Sequence, residues 1–428
     1  FSLAVGWRFD VARQVRIAFP APPMIPANAP RQLTFGSIVL RFPTVLLTGL
    51  LFAAAPAMAS SDSPGLRKVE DITVYRGEDF YSAFPSIIRR PNGELIVAFR
   101  RAPNRRRFGG GIYSHSDPNS YLVSVRSQDS GRTWTREPQL IYAHPLAGSQ
   151  DPCMVQLRDQ SILCTSYAWA LLAPEQIANL QKPIVTNQSK FVFLGGFILR
   201  STDGAHSWHA PIIPAAPRGE NELDIFGNPL PARSRGALCE GADGRLYWVV
   251  QTAAGSASPR KTEVHLMISE DRGLTWNDSA VVASDPKIGF NETSLYETPK
   301  GDLVAFVRTG GLDGNLVLSR SSDKGRSFTW KDTGVLGFPA HAIRLPDQRV
   351  LLVYGYRRAP WGIRARLLDP ECTNIATAPE VILRDDGGNG DLGYPWASII
   401  SDKRALVVYY FNKADGLRTI ESTVVEFL

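Results

Sequence analysis

From about residue 68 onward the chain alternates short apolar runs with two-residue polar turns, and one arrangement recurs. Six segments carry two apolar runs each, rich in Val, Ile, Leu and Tyr, on either side of such a turn. They are 84–101 around Asn92-Gly93, 151–168 around Asp159-Gln160 and 235–251 around Asp243-Gly244. The other three are 291–308 around Lys300-Gly301, 339–356 around Asp347-Gln348 and 394–412 around Asp402-Lys403. A continuous apolar run bounded by turn residues reads as a strand buried on both faces. Each segment therefore predicts a buried β-hairpin. Successive turns are 67, 84, 57, 47 and 55 residues apart. A four-stranded unit needs about 40–50 residues, so the first two intervals carry insertions. Residues 174–183 in one of them are the only stretch expected to be helical.

A second motif is interleaved with the hairpins. Ser269-Glu270-Asp271-Arg272-Gly273-Leu274-Thr275-Trp276 has the form S-x-D-x-G-x-T-W. Ser127-Gln128-Asp129-Ser130-Gly131-Arg132-Thr133-Trp134 repeats it. Ser201-Thr202-Asp203-Gly204-Ala205-His206-Ser207-Trp208 moves the glycine one place, and Ser321-Ser322-Asp323-Lys324-Gly325-Arg326-Ser327-Phe328 puts Phe in the Trp position. The chemistry is that of a tight turn: Asp accepts from nearby backbone N–H groups, Gly takes a positive φ, and the ring anchors the turn. One copy would occur by chance; four with a terminal aromatic mark a repeat. Between the last two hairpins the octet has decayed to Asp369-Pro370-Glu371-Cys372-Thr373-Asn374.

Hairpin and octet in alternation predict an all-β fold, a six-bladed β-propeller of four-stranded antiparallel blades spanning residues 60–428. Ring closure removes the edges an open sheet would present. Residues 69–76 are placed to complete the last blade beside 419–427.

Residues 1–59 lack this rhythm and are expected to be an N-terminal extension with a signal peptide. An apolar run over 45–55 follows Arg41 and precedes Ala57-Met58-Ala59, a small-residue cleavage pattern. The run is too short for a bilayer span, so a secreted or periplasmic protein with no stable membrane span is expected. The extension also carries most of the charge. It holds five Arg and one Asp, so the chain's net +6 falls to about +2 in the remainder. Nucleic acid is thus not indicated as a partner. The four cysteines, Cys153, Cys164, Cys239 and Cys372, form no C-x-x-C pair, so no metal site or cofactor is expected. Cys153 and Cys164 flank one turn in a register that looks diagonal.

In such a ring the first residues of the inner strands surround a central pocket. Phe84, Asp151, Arg235, Asn291 with Glu292, His341 and Tyr394 therefore converge, and the far ends of the hairpins add Arg100, Arg101, Arg308, Arg357 and Arg358. Any one polar group there is as readily a contact between blades as a ligand contact. Several on one axis point to a binding site for an anionic molecule.

The octets resemble the Asp boxes of the sialidase superfamily, from about residue 70 to the end. The resemblance implies a pocket that cleaves a terminal sugar of a glycan, with arginines holding a carboxylate, a Tyr–Glu pair supplying the nucleophile and an Asp as acid/base. The segment from Asn291-Glu292 to Arg308 is similar to the one joining the assisting Glu to the second arginine. Tyr394 falls at the nucleophile's position. Asp117, in Asp117-Pro118-Asn119-Ser120, resembles the acid/base segment. The first arginine is unmatched: Phe84-Pro85-Ser86 stands there, with Arg100 or Arg101 as substitutes. Arg357 and Arg358 are loose counterparts of the third. The cluster Arg105-Arg106-Arg107 is a further grip for an anionic glycan, or a solvated loop.

These readings imply a monomeric glycan-active hydrolase with catalytic Tyr394, Glu292, Asp117 and His341 and substrate-binding Arg308, Arg100, Arg101, Arg357, Arg358 and Asp151. Two alternatives stay open. Tyr394 and His341 could serve a polysaccharide lyase or another exo-glycosidase, or the ring could be a carbohydrate-binding module without catalysis.

Overall fold

The computed structural model describes residues 65–107, 115–253 and 262–428, with the backbone of Asp62–Ser63. The extension 1–59, with its export segment, lies outside the described residues. The remainder forms six antiparallel sheets. Their two innermost strands are the six expected hairpins: Phe80–Arg89 with Leu95–Pro103, Gly148–Gln156 with Ile162–Leu171, and Cys239–Glu240 with Leu246–Thr252. Gly289–Glu297 with Leu303–Gly310, Ala340–Arg344 with Val350–Tyr356, and Gly393–Ser401 with Arg404–Asn412 complete the set. We number the blades 1 to 6 in that order.

Apolar residues on both faces of these strands fill six cores, one between each pair of neighbouring blades. Leu406 and Val408 of blade 6 meet Val97 and Val123 of blade 1. Blades 1 and 2 share Ile96, Leu122 and Cys164, and blades 2 and 3 share Leu163, Trp248 and Trp276. The remaining three cores join blades 3 to 4, 4 to 5 and 5 to 6. The ring closes where Leu66–Tyr75 pairs with Arg418–Phe427, adding the first strand of the fold to its last blade. The expected six-bladed propeller is the fold.

The octets are the turns expected. Asp271 accepts from the N–H groups of Leu274 and Thr275 and from the Thr275 hydroxyl, while Ser269 Oγ accepts from Gly273 N–H. Asp129, Asp203 and Asp323 repeat the pattern. Two successive residues have positive φ: Arg272 and Gly273 (61° and 87°), or Gly204 and Ala205 (75° and 64°). Either position gains from glycine, which explains why the glycine can move one place. The decayed copy keeps its function, because Asp369 accepts from the N–H groups of Glu371, Thr373 and Asn374.

Two details depart from regularity. Blade 2 draws its outer strand from an insertion, Thr186–Asn187, and the chain after its octet adds only a bridge between Ile198 and Ile212. The insertion begins with the helix Pro174–Ala178. Cys153 pairs in register with Thr165 and Cys164 with Met154, so the two thiols are diagonal, and all four cysteines are free.

Candidate active site

The hairpins place their functional residues by a fixed count from the turn. Nine residues before the second turn residue stand Phe84, Asp151, Arg235, Glu292, Pro339 and Tyr394. Seven residues after it stand Arg100, Tyr167, Gln251, Arg308, Gly355 and Tyr410. The ladder slips at the first set in four blades, between Ala83 and Ser86, Gln150 and Cys153, Phe290 and Thr293, and Gly393 and Trp396. Three slips fall on X-Pro pairs whose first residue has positive φ: Phe84 (58°), Asp151 (27°) and Tyr394 (54°). Such backbone is uncommon for non-glycine residues and clusters at functional sites. The bulge turns a strand residue toward the axis.

Three of these side chains meet. The Tyr394 hydroxyl donates to Glu292 Oε1 at 2.5 Å. Arg308 Nη1 bonds Glu292 Oε2 and donates to the Tyr394 oxygen at 3.1 Å. Burial opposes the Glu292 carboxylate, but Arg308 and Tyr394 outweigh it and hold its pKa below the ordinary value. Burial, and then Glu292, push the Tyr394 phenol above its ordinary value. The resting pair is thus a neutral phenol on an ionised carboxylate, the arrangement in which the carboxylate can accept the phenolic proton.

Two more guanidiniums flank the phenol. Arg357 lies 5.0 Å from the Tyr394 ring centroid and donates to Leu392 O (2.9 Å) and Tyr410 Oη (2.8 Å). No carboxylate pairs with it among the described residues. Arg235 is buried beneath, donating to Cys153 Sγ (3.1 Å), Pro85 O (2.7 Å) and Tyr394 O (3.2 Å). It ties blades 1, 2, 3 and 6 together at the axis. Phe84 stands where a sialidase arginine was sought, its ring against Tyr394, Tyr410 and His115 at 4.8, 5.0 and 5.3 Å.

The other anticipated residues, Asp151 excepted, lie elsewhere. Arg100 is fully buried behind Phe84 and beside Tyr81, and its guanidinium nitrogens have no hydrogen-bond partner among the described residues. Arg101, on the other face of the strand, donates to the hydroxyls of Tyr121 (2.8 Å) and Tyr75 (3.1 Å). Arg358 is exposed and bonds Asp313 O. Asp117 is buried in a two-bond pair with Arg105, at 2.7 and 3.0 Å, and also accepts from Asn119 N–H. Asp151 is buried and accepts from the Tyr167 hydroxyl at 2.8 Å. His341 stacks on Trp396 at 4.3 Å and accepts from Ala397 N–H. It lines a different cavity, with Tyr296 and Glu297, toward the turn ends of the strands. Burial, then Arg235, push its imidazole down to about 3.

Tyr167 and His115 complete the site and were not singled out from sequence. With Glu292, Arg235, Gln251, Trp169 and Phe193 they line a cavity of about 150 Å³. The His115 ring opens onto this space, yet the enclosing protein, and then Arg100, push it down to about 4. Among the described residues no cluster of His, Cys, Asp and Glu could hold a metal ion.

The chain matches the family described as BNR repeat-like domain over residues 183–404, more than half its length, and belongs to it. Its six-bladed fold is similar to that of solved sialidases. A solved protein of unknown function from Dyadobacter fermentans is 54% identical, covering 86% of this chain and all of its own, with a TM-score of 0.83. The Hadza microbial sialidase Hz136 is 17% identical over 81% of this chain and 66% of its own, with a TM-score of 0.58. The sialidase NanB of Streptococcus pneumoniae is 14% identical over 84% of this chain and 70% of its own, with a TM-score of 0.56. No curated protein matches the chain.

Proposed function

We propose that this propeller is a glycoside hydrolase that removes a terminal, anionic sugar through a Tyr394 nucleophile. The observation that carries the reading is the 2.5 Å contact between the Tyr394 hydroxyl and Glu292. A phenol is a weak nucleophile at its ordinary pKa near 10. A carboxylate held ionised by Arg308 removes that limit by taking the proton as the bond to carbon forms. A neutral attacking oxygen also approaches a negative sugar without the repulsion a carboxylate would meet. Tyrosine nucleophiles are a recognised departure from the two-carboxylate scheme.

The charge around the phenol favours an anionic sugar. Glu292 already neutralises Arg308, whereas Arg357 keeps a full charge beside Tyr394. A carboxylate on the substrate would complete its fork. Phe84 offers an apolar ring where a further arginine would grip, so the anionic group must be held from the Arg308 and Arg357 side. Two of the three fold neighbours named above are sialidases, which supports the same class. The lyase reading requires His341 beside Tyr394, whereas His341 stacks on Trp396 in the cavity toward the turn ends and Tyr394 bonds Glu292. A panel of 4-methylumbelliferyl glycosides of sialic acid, glucuronic acid and neutral sugars tests the proposal. Release from an acidic member alone is expected; no release from any, or release only from neutral members, would overturn it.

A further inference from the structure

We propose that the Tyr167 hydroxyl, backed by the buried Asp151 carboxyl, is this site's proton donor to the leaving oxygen, in place of Asp117. The assignment rests on the glycosidase reading and names a residue that reading leaves open. A leaving alkoxide needs a proton, and a side chain that supplies it must face the reacting carbon. Asp117 does not fit. Its two oxygens are taken by Arg105 and by Asn119 N–H, and it is fully buried.

Tyr167 does fit. It occupies in blade 2 the same count from the turn as Arg308 in blade 4, and it lines the cavity that Glu292 lines. Its hydroxyl reaches Asp151 Oδ2 at 2.8 Å, while Asp151 Oδ1 is buried with no partner among the described residues. An ionised carboxylate left with one empty, buried oxygen is costly; a protonated one is much less so. Asp151 is also held on strained backbone, with φ at 27°. Strain of this kind persists where surrounding structure enforces it, most often at working sites.

The groups facing Asp151 set its charge. Burial raises its pKa most and Glu292 adds to that, while Arg235, Tyr167 and Arg100 act the other way, leaving it at about 6. Burial and Asp151 push the Tyr167 phenol well up, so it stays protonated at rest.

The two steps balance. In the first, the bond between the anomeric carbon and the leaving oxygen breaks as a carbon–oxygen bond to Tyr394 forms. Glu292 takes the Tyr394 proton, the leaving oxygen takes the Tyr167 proton, and Tyr167 is refilled by a proton on Asp151 Oδ2, which reverses the resting 2.8 Å bond. In the second, water attacks the anomeric carbon and passes one proton to Tyr167, and Tyr167 passes its own to Asp151. The Tyr394 oxygen leaves and recovers its proton from Glu292.

The test compares a poor leaving group with a good one, 3′-sialyllactose with 4-methylumbelliferyl sialoside. Tyr167→Phe keeps the ring and should lose about 10²–10⁴-fold in kcat/KM on the lactoside. It should lose less than about 10-fold on the aryl sialoside, whose leaving group needs little proton help. Asp151→Asn should show the same split and lose the fall in lactoside kcat/KM expected of the wild type as pH rises past about 6. Asp117→Asn should show no split between the two. Equal losses on both substrates for Tyr167→Phe, or a split in Asp117→Asn instead, would overturn the assignment while leaving the glycosidase reading intact. A wild type that releases neither sialic nor glucuronic acid, from a sugar or an aryl leaving group, would overturn that reading and this assignment with it.

Discussion

The Tyr394 hydroxyl donates to Glu292 across 2.5 Å, although 102 residues separate them and they come from blades 6 and 4. Side chains from blades that are not neighbours can meet only near the axis. The contact therefore reports both the ring closure and the site. Tyr394→Phe is expected to reduce turnover by about 10³-fold or more, as loss of a nucleophile does. Its unfolding temperature should stay within a few degrees of wild type, since a hydrogen bond to a charged partner contributes about 1.5–3 kcal/mol. A small kinetic effect in stopped assays would assign the hydroxyl to structure alone.

Arg308 serves two partners, Glu292 and the Tyr394 oxygen. Arg308→Lys retains the charge but loses the fork. We expect kcat/KM to fall about 10–100-fold, equivalent to one charge-assisted hydrogen bond of about 1.5–3 kcal/mol, with the fold unchanged by circular dichroism. Wild-type kinetics would remove Arg308 from the site.

The octet geometry gives a stability test. Gly273 has φ at 87°, and a Cβ there would lie 2.7 Å from Leu163 Cδ1 of the preceding blade. Gly273→Ala should cost about 1–2 kcal/mol from left-handed backbone alone. Ala205 already holds that backbone, with φ at 64°. Ala205→Gly should be neutral or stabilise by up to about 1 kcal/mol. Urea unfolding of both variants checks the contrast, and equal effects would contradict it.

How much was legible follows from these residues. The octets and apolar hairpins are local signals, and they carried the fold, its blade count and the closing strand. Glu292, Arg308 and Tyr394 were found because their types and positions relative to the turns are distinctive. Tyr167 and Tyr410 sit at the same count after their turns as Arg308, but a tyrosine in an apolar strand looks like core. The signal was the count, read across blades. The pairing of Asp117 with Arg105 depends on how a loop folds back, and no spacing encodes that. His341 shows the opposite error. Its position near the start of a strand suggested the pocket, but blade 5 has no slip in its ladder to turn it there.

A charged cluster away from the axis predicts a pH dependence. His265 is buried between Asp278 (2.7 Å) and Glu263 (2.9 Å), and Arg218 faces Asp278. Burial opposes the imidazolium, but the two carboxylates outweigh it and raise its pKa above 6.5. A raised folded pKa means the stabilisation is complete below the unfolded value and is lost as pH rises through the folded one. Denaturant midpoints should therefore decline from pH 6 upward more steeply in wild type than in His265→Gln. Parallel curves would show that the cluster is not coupled to folding.

The account turns on a covalent bond between Tyr394 and a sugar, and trapping that bond tests it most directly. The protein would be incubated with fluorinated glycosyl fluorides of sialic and uronic acids, digested, and its peptides mapped by mass spectrometry. One of these reagents is predicted to leave a single glycosyl adduct on the peptide containing Tyr394, absent in Tyr394→Phe. Turnover of an acidic glycoside with no adduct on Tyr394, or an adduct on another residue, would contradict the mechanism.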